Sequence, residues 1–191
     1  MGLSAKILAK FSVFDLIIIA MLSALGIATK PVIAPLAHII TGPLLIPSGV
    51  VAGGFYMMWL VLAMGLTGKR GTATLVGFIQ ALLVMSTGMM GSHGMMSLLT
   101  YTIPGVLADL GLWVIRHRVC CLPCAFLAGM LANIGGSLMV NFVYFRLPLI
   151  PLVLSLSVAA LSGGLGGILA FKILQQIWKF RAGEGRFSEI K

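Results

Sequence analysis

Charge is what this sequence has least of: 9% of its 191 residues are Asp, Glu, Lys or Arg, against roughly a quarter in soluble domains. Such a chain cannot cover a water-facing surface. Acidic residues number only 4, too few for the carboxylate cluster of a metal-assisted hydrolase. Neither H-E-x-x-H nor G-x-S-x-G occurs. The stretch Gly65-Leu66-Thr67-Gly68-Lys69-Arg70 lacks both the early glycine and the Ser or Thr of a phosphate loop. The chain carries no visible engine for ATP hydrolysis, and it reads as a non-enzyme without a cofactor. Cysteine is scarce too, at 3 residues. Cys121 and Cys124 have the C-x-x-C spacing that holds zinc or a redox pair, with Cys120 and His117 just before them. On a cytoplasmic helix start these read as small buried side chains, and no metal is assigned to them.

What is present is oil. Apolar residues make up 60% of the chain. They fall into runs that predict an all-α, single-domain membrane protein with spans at about 11–29, 47–66, 72–90, 95–115, 121–145 and 149–175. The run after Lys6 and Lys10 is long for a signal peptide and includes Asp15, so it reads as an uncleaved first helix. Pro31, Pro35, Pro43 and Pro47 suit one straight helix badly. They predict a proline-rich outer loop, or short broken helices, that needs protein cover at membrane depth.

The net charge of +9 does not point to nucleic acid, because the cations sit in small groups between apolar spans. Sorted by alternate loops, only Lys30 and Arg146 of the 13 Lys and Arg fall on one side. That bias predicts both ends in the cytoplasm.

Four features inside the spans need an explanation. Ala20, Ala24 and Ala28 share one helix face and permit close approach, either by the protein's own helices or by another membrane subunit. Gly163 and Gly167 form a small-xxx-small pair in the last span. Asn133, Ser137 and Asn141 recur every four residues, with Tyr144 nearly in line. That polar stripe cannot face lipid, so it meets either a ligand or other helices. Asp109 lies toward the cytoplasmic end, where structural pairing or subunit coupling explains it better than ligand contact. Tyr56, Trp59 and Gln80 suit an aromatic pocket or ordinary packing. The link Met89 to Met96 around His93 reads as a soft-metal lip or a flexible lid.

The whole pattern resembles the substrate-binding S component of energy-coupling factor vitamin transporters, on its six spans, its Ala20–Ala24–Ala28 face and its polar outer halves. It most resembles the YkoE-type hydroxymethylpyrimidine/thiamine permease components. The residues carrying that likeness are Gly49, Gly53, Gly54, Tyr56 and Trp59, then Lys69-Arg70-Gly71, Gly91-Ser92-His93-Gly94 and the run Pro104 to Asp109. It departs at Asp109, where a glutamate is expected, and at the three cysteines.

The resemblance implies a binder of a small vitamin-like ligand in a prokaryotic inner or plasma membrane. Its partners would be a transmembrane coupling subunit, which meets the alanine face, and two cytoplasmic ATPases. For the ligand it implies Asn133 and Asn141 as hydrogen-bonding groups, and Tyr56, Trp59 and Tyr144 as stacking surfaces. His93 would stand at the mouth. Arg146 would draw in an acidic group, unless it is an ordinary loop charge. The competing readings are an S component for a different vitamin or cofactor, a self-sufficient small-solute transporter, whose inverted repeats are not evident, and an assembly subunit without a pocket.

Overall fold

The long apolar runs are helical, as they must be where no water can satisfy the backbone. The computed structural model describes residues 11–42, 47–88 and 94–188, with side chains to residue 180. The helices are α1 (Val13–Ala28), α2 (Lys30–Thr41), α3 (Ser48–Thr67), α4 (Thr72–Thr87), α5 (Ser97–Val114), α6 (Leu122–Val140) and α7 (Leu149–Ser188). A π-helical turn, Asn141–Phe145, extends α6. The expected contributions of His93 and its neighbours 89–92 lie outside the described residues.

Among the described residues, four helical stretches are long and apolar enough to cross a bilayer, or five if α1 and α2 count as one span bent by 41°. Helix α4, at 16 residues, reaches about 24 Å, short of a hydrocarbon core of about 30 Å. The proline-rich stretch departs from a loop: Lys30–Thr41 is helix. Pro31 sits in its first turn, where a missing N–H costs nothing, and Pro35 is accommodated inside. Large apolar side chains such as Phe14, Ile17, Leu161 and Leu165 are exposed along the outside, which suits lipid and would not suit water. This is a multi-pass membrane protein.

Packing follows the small residues. A Cβ on Gly166 would come against the Gly54 carbonyl oxygen, and one on Gly54 against the Ser162 carbonyl oxygen, so α3 and α7 touch backbone to backbone. The Ser162 hydroxyl fastens the same contact, donating to Val51 O at 2.5 Å and accepting from Gly54 N at 3.0 Å. Gly163 meets Gly129 of α6 in the same way, and Gly167 meets Ala125. The small-residue pair of the last span thus packs within the chain.

One end of the bundle gathers the basic turns. Gly68 (φ 60°) and Gly71 (φ 89°) are left-handed, which lets α3 reverse into α4 within a few residues. Arg118, after α5, donates from Nη1 to Gly68 O at 2.7 Å. The two basic loops therefore share an end. Asp15 lies there too, in a capping box with Ser12 and 2.5 Å from Lys69 Nζ. It is buried and paired.

Asp109 has a structural task at the same end. Its Oδ1 accepts from Gly71 N at 3.1 Å, and its Oδ2 accepts from Thr74 N at 2.8 Å and Thr74 Oγ1 at 2.7 Å. A carboxylate of α5 thus caps the N-terminus of α4, where the helix dipole favours negative charge. Asp109→Asn turns one acceptor into a donor facing backbone N–H groups. We expect a loss of about 1.5–3 kcal/mol, read as a lower Tm in detergent.

Candidate ligand cavity

At the opposite end, α2 to α7 surround a cavity of about 800 Å³. That is within the usual range for a small-molecule site. Its polar equipment is modest and concentrated. Lys30, at the break between α1 and α2, extends into it, with Nζ 2.5 Å from the Tyr101 hydroxyl. The same ammonium lies 3.8 Å from the Tyr101 ring centroid and 5.1 Å from that of Tyr56, within cation–π range. No carboxylate pairs with Lys30 among the described residues; Asp15 is taken by Lys69, and Asp109 by α4. His38 Nε2 lies 3.0 Å from Ser48 Oγ, linking α2 to the start of α3. Gln80, Thr100 and Ser155 add polar edges, and Met57, Leu60 and Pro104 supply apolar floor.

The residues singled out in the sequence separate into three groups. Tyr56, Asn133 and Asn141 line the cavity. Both asparagines, however, spend hydrogen bonds on the fold. Asn133 is 2% exposed, and its Nδ2 donates to Val50 O at 3.1 Å and Ala159 O at 2.9 Å. It joins α6 to α3 and α7. Asn141 Oδ1 accepts from Leu147 N at 3.0 Å, closing the C-terminal end of the π turn. The polar stripe is thus built largely on internal helix bonding.

Trp59, Tyr144 and Arg146 do not line the cavity. Trp59 lies on another face of α3, edge-on to Phe55 at 6.2 Å and close beside Gly26 of α1. Tyr144 is 47% exposed; the π turn holds more residues per turn than an α-helix, which rotates it off the stripe. Arg146 is exposed in a left-handed conformation at φ 46°, its N–H donating to Asn141 O at 2.8 Å. Ala20, Ala24 and Ala28 are exposed on α1, away from the cavity.

Sequence reasoning missed Lys30 and Tyr101 as cavity residues. The signal was there: a lysine on the poorly charged side, flanked by an apolar span and Pro31. It was read only as an outer charge.

Removing the Asn133 amide should loosen the bundle. Transmembrane hydrogen bonds of this kind are worth about 0.6 kcal/mol on average and at most about 1.7. Asn133→Ala is therefore expected to cost about 1–3 kcal/mol, counting both bonds, seen as a Tm decrease. Asn133→Leu should be worse, because Gly53 leaves no space beyond the present side chain.

A family model described as "ABC-type cobalt transport system, permease component" matches residues 14–135. No curated protein matches the sequence. A crystal structure of an S-component of an ECF transporter has the same fold, with a TM-score of 0.76 at 20% identity, over 95% of this chain and 98% of that one. With residues 14–135 matched, the chain belongs to the family of ABC-type cobalt transport system permease components.

Proposed function

We propose that this protein is the membrane-embedded substrate-binding component of an energy-coupling factor importer, and that it takes a small heteroaromatic vitamin or precursor into the cavity beside Lys30. The observation that carries the reading is the cavity itself, about 800 Å³, at the end of the bundle away from the basic turns. The positive-inside rule puts those turns in the cytoplasm, so the cavity faces outward, with six crossings and both termini inside. The shared fold with an S-component and the permease family support the same role. A transmembrane coupling subunit and two ATPases would supply the motion that this chain has no residues to drive.

The lining favours an organic ligand over a bare metal ion. Among the described lining residues His38 is the only imidazole, and none is a carboxylate or thiol, the donors a transition metal requires. Two tyrosines and an ammonium suit a flat, electron-rich ring. They also separate the two candidate ligands. Thiamine carries a fixed cation, whereas hydroxymethylpyrimidine is neutral. Like charges about 6 Å apart at an effective dielectric of about 20 repel by about 3 kcal/mol. Calorimetry on the purified protein is therefore expected to show hydroxymethylpyrimidine bound about 100-fold more tightly than thiamine. If neither binds, and mass spectrometry of the gently purified protein finds no retained heteroaromatic compound, the ligand assignment is wrong. If proteoliposomes holding this chain alone sustain uptake, the S-component role is wrong and a self-sufficient carrier takes its place.

A further inference from the structure

The loop after α5 brings His117, Cys120 and Cys124 together at one point, with Cys121 beside them, and the ligand cavity uses none of them. Arg116 adopts a left-handed conformation at φ 57° and turns the chain back. His117 N then donates to Leu112 O at 3.0 Å, and Cys120 N to Arg118 O at 2.8 Å. The turn places His117 and Cys120 over the first turn of α6, which carries Cys124. The distances are 3.8 Å from Cys120 Sγ to His117 Nδ1, 3.6 Å from Cys124 Sγ to His117 Nδ1, and 4.0 Å between the two sulfurs. The reading of these cysteines as small buried side chains fits Cys124 alone, since Cys120 is exposed and Cys121 partly so.

These spacings have a meaning. Zinc binds thiolate sulfur at about 2.3 Å and imidazole nitrogen at about 2.0–2.1 Å in tetrahedral geometry. The edges of that tetrahedron are about 3.8 Å between two sulfurs and about 3.6 Å between sulfur and nitrogen. The three observed separations stand within a few tenths of an ångström of those edges, so one ion fits between the three atoms with little movement. The surroundings suit the result as well. Two thiolates, a neutral imidazole and a divalent ion sum to zero charge, so the site can form beside Arg116 and Arg118 without adding repulsion.

We propose that His117 Nδ1, Cys120 Sγ and Cys124 Sγ hold one zinc ion at the end of the bundle remote from the cavity. Cys121 Sγ lies 2.9 Å from Cys124 Sγ. That is too close for both sulfurs to serve one ion at tetrahedral angles, so Cys121 is not a ligand and the fourth position stays open to solvent or another group. The ion ties the loop after α5 to the start of α6. The orientation proposed above puts it in a reducing compartment, where thiols remain available as ligands.

The full-length protein, purified in detergent with a phosphine reductant and no chelator, should contain one equivalent of zinc by elemental analysis. Replacing zinc with Co²⁺ should give the near-ultraviolet thiolate-to-cobalt band and the visible bands of a tetrahedral site. Cys120→Ser, Cys124→Ser and His117→Ala should each lower metal content at least tenfold, while Cys121→Ser keeps it. Size-exclusion elution and far-ultraviolet circular dichroism should be unchanged in all four, which shows that each variant is folded and keeps the metal result independent of the ligand assignment. Four results would overturn the proposal: no zinc and no cobalt spectrum, metal retained in Cys124→Ser, metal lost in Cys121→Ser, or a Cys121–Cys124 disulfide in protein isolated under native redox conditions.

Discussion

Lys30→Met is expected to weaken hydroxymethylpyrimidine binding by about 30- to 100-fold and to strengthen thiamine binding. Methionine keeps most of the length and apolar character of the lysine stem, so the walls of the cavity stay in place. What is lost is the ammonium, which lies 2.5 Å from the Tyr101 hydroxyl and above two aromatic rings. A hydrogen bond to a charged group contributes about 1.5–3 kcal/mol, and a desolvated cation–π contact about 2 kcal/mol. The neutral ring forfeits part of both. For the cationic vitamin the sign reverses, because the mutation removes a like charge. Paired titrations of both ligands into both proteins check this, and a parallel loss for the two ligands would show that Lys30 shapes the cavity without setting its charge preference.

The second large effect concerns assembly. Ala24→Trp should leave ligand affinity within about twofold, yet abolish ATP-driven uptake and co-purification with the coupling subunit. Ala20, Ala24 and Ala28 lie exposed on α1, and the buried face of that helix, with Ile19, Ser23 and Gly26, turns toward α3 and α4. Small residues on an outer face let a second helix approach until backbones nearly touch, and an indole ring would hold that helix several ångströms away. Leu161→Trp, on the exposed side of α7, is the matched control, because α7 has no comparable contact with α1. Uptake measured in cells, with binding measured on purified protein, separates the two effects. Loss of binding in Ala24→Trp, or uptake that survives it, would remove the docking assignment.

Much of the architecture was legible because lipid leaves the backbone few choices. Long uncharged runs can only be helices, and Gly68-Lys69-Arg70-Gly71 could only be a turn at a polar surface. The close-packed glycines were legible for the same reason, since Gly163 and Gly167 stand one turn apart. The cavity was harder. Asn133 and Asn141 were noticed because amides are expensive in oil, but the sequence does not say whether the partner is a ligand or a carbonyl. The structure shows carbonyls for Asn133 and a backbone N–H for Asn141. Tyr144 was misplaced because a π turn leaves no mark in a periodicity built on 3.6 residues per turn. Lys30 and Tyr101 are 71 positions apart, so their meeting depends on how α5 packs, which no local pattern encodes.

The bend at Thr29 separates two duties along one stretch of chain. Below it, α1 presents the alanine face; above it, α2 carries Lys30 and His38 into the cavity wall. Thr29 keeps the elbow closed through its N–H, bonded to Leu25 O at 3.0 Å, and its hydroxyl, bonded to Gly26 O at 3.1 Å. In the proposed importer, a coupling subunit docked on the lower arm and a ligand held by the upper one would meet through this single elbow.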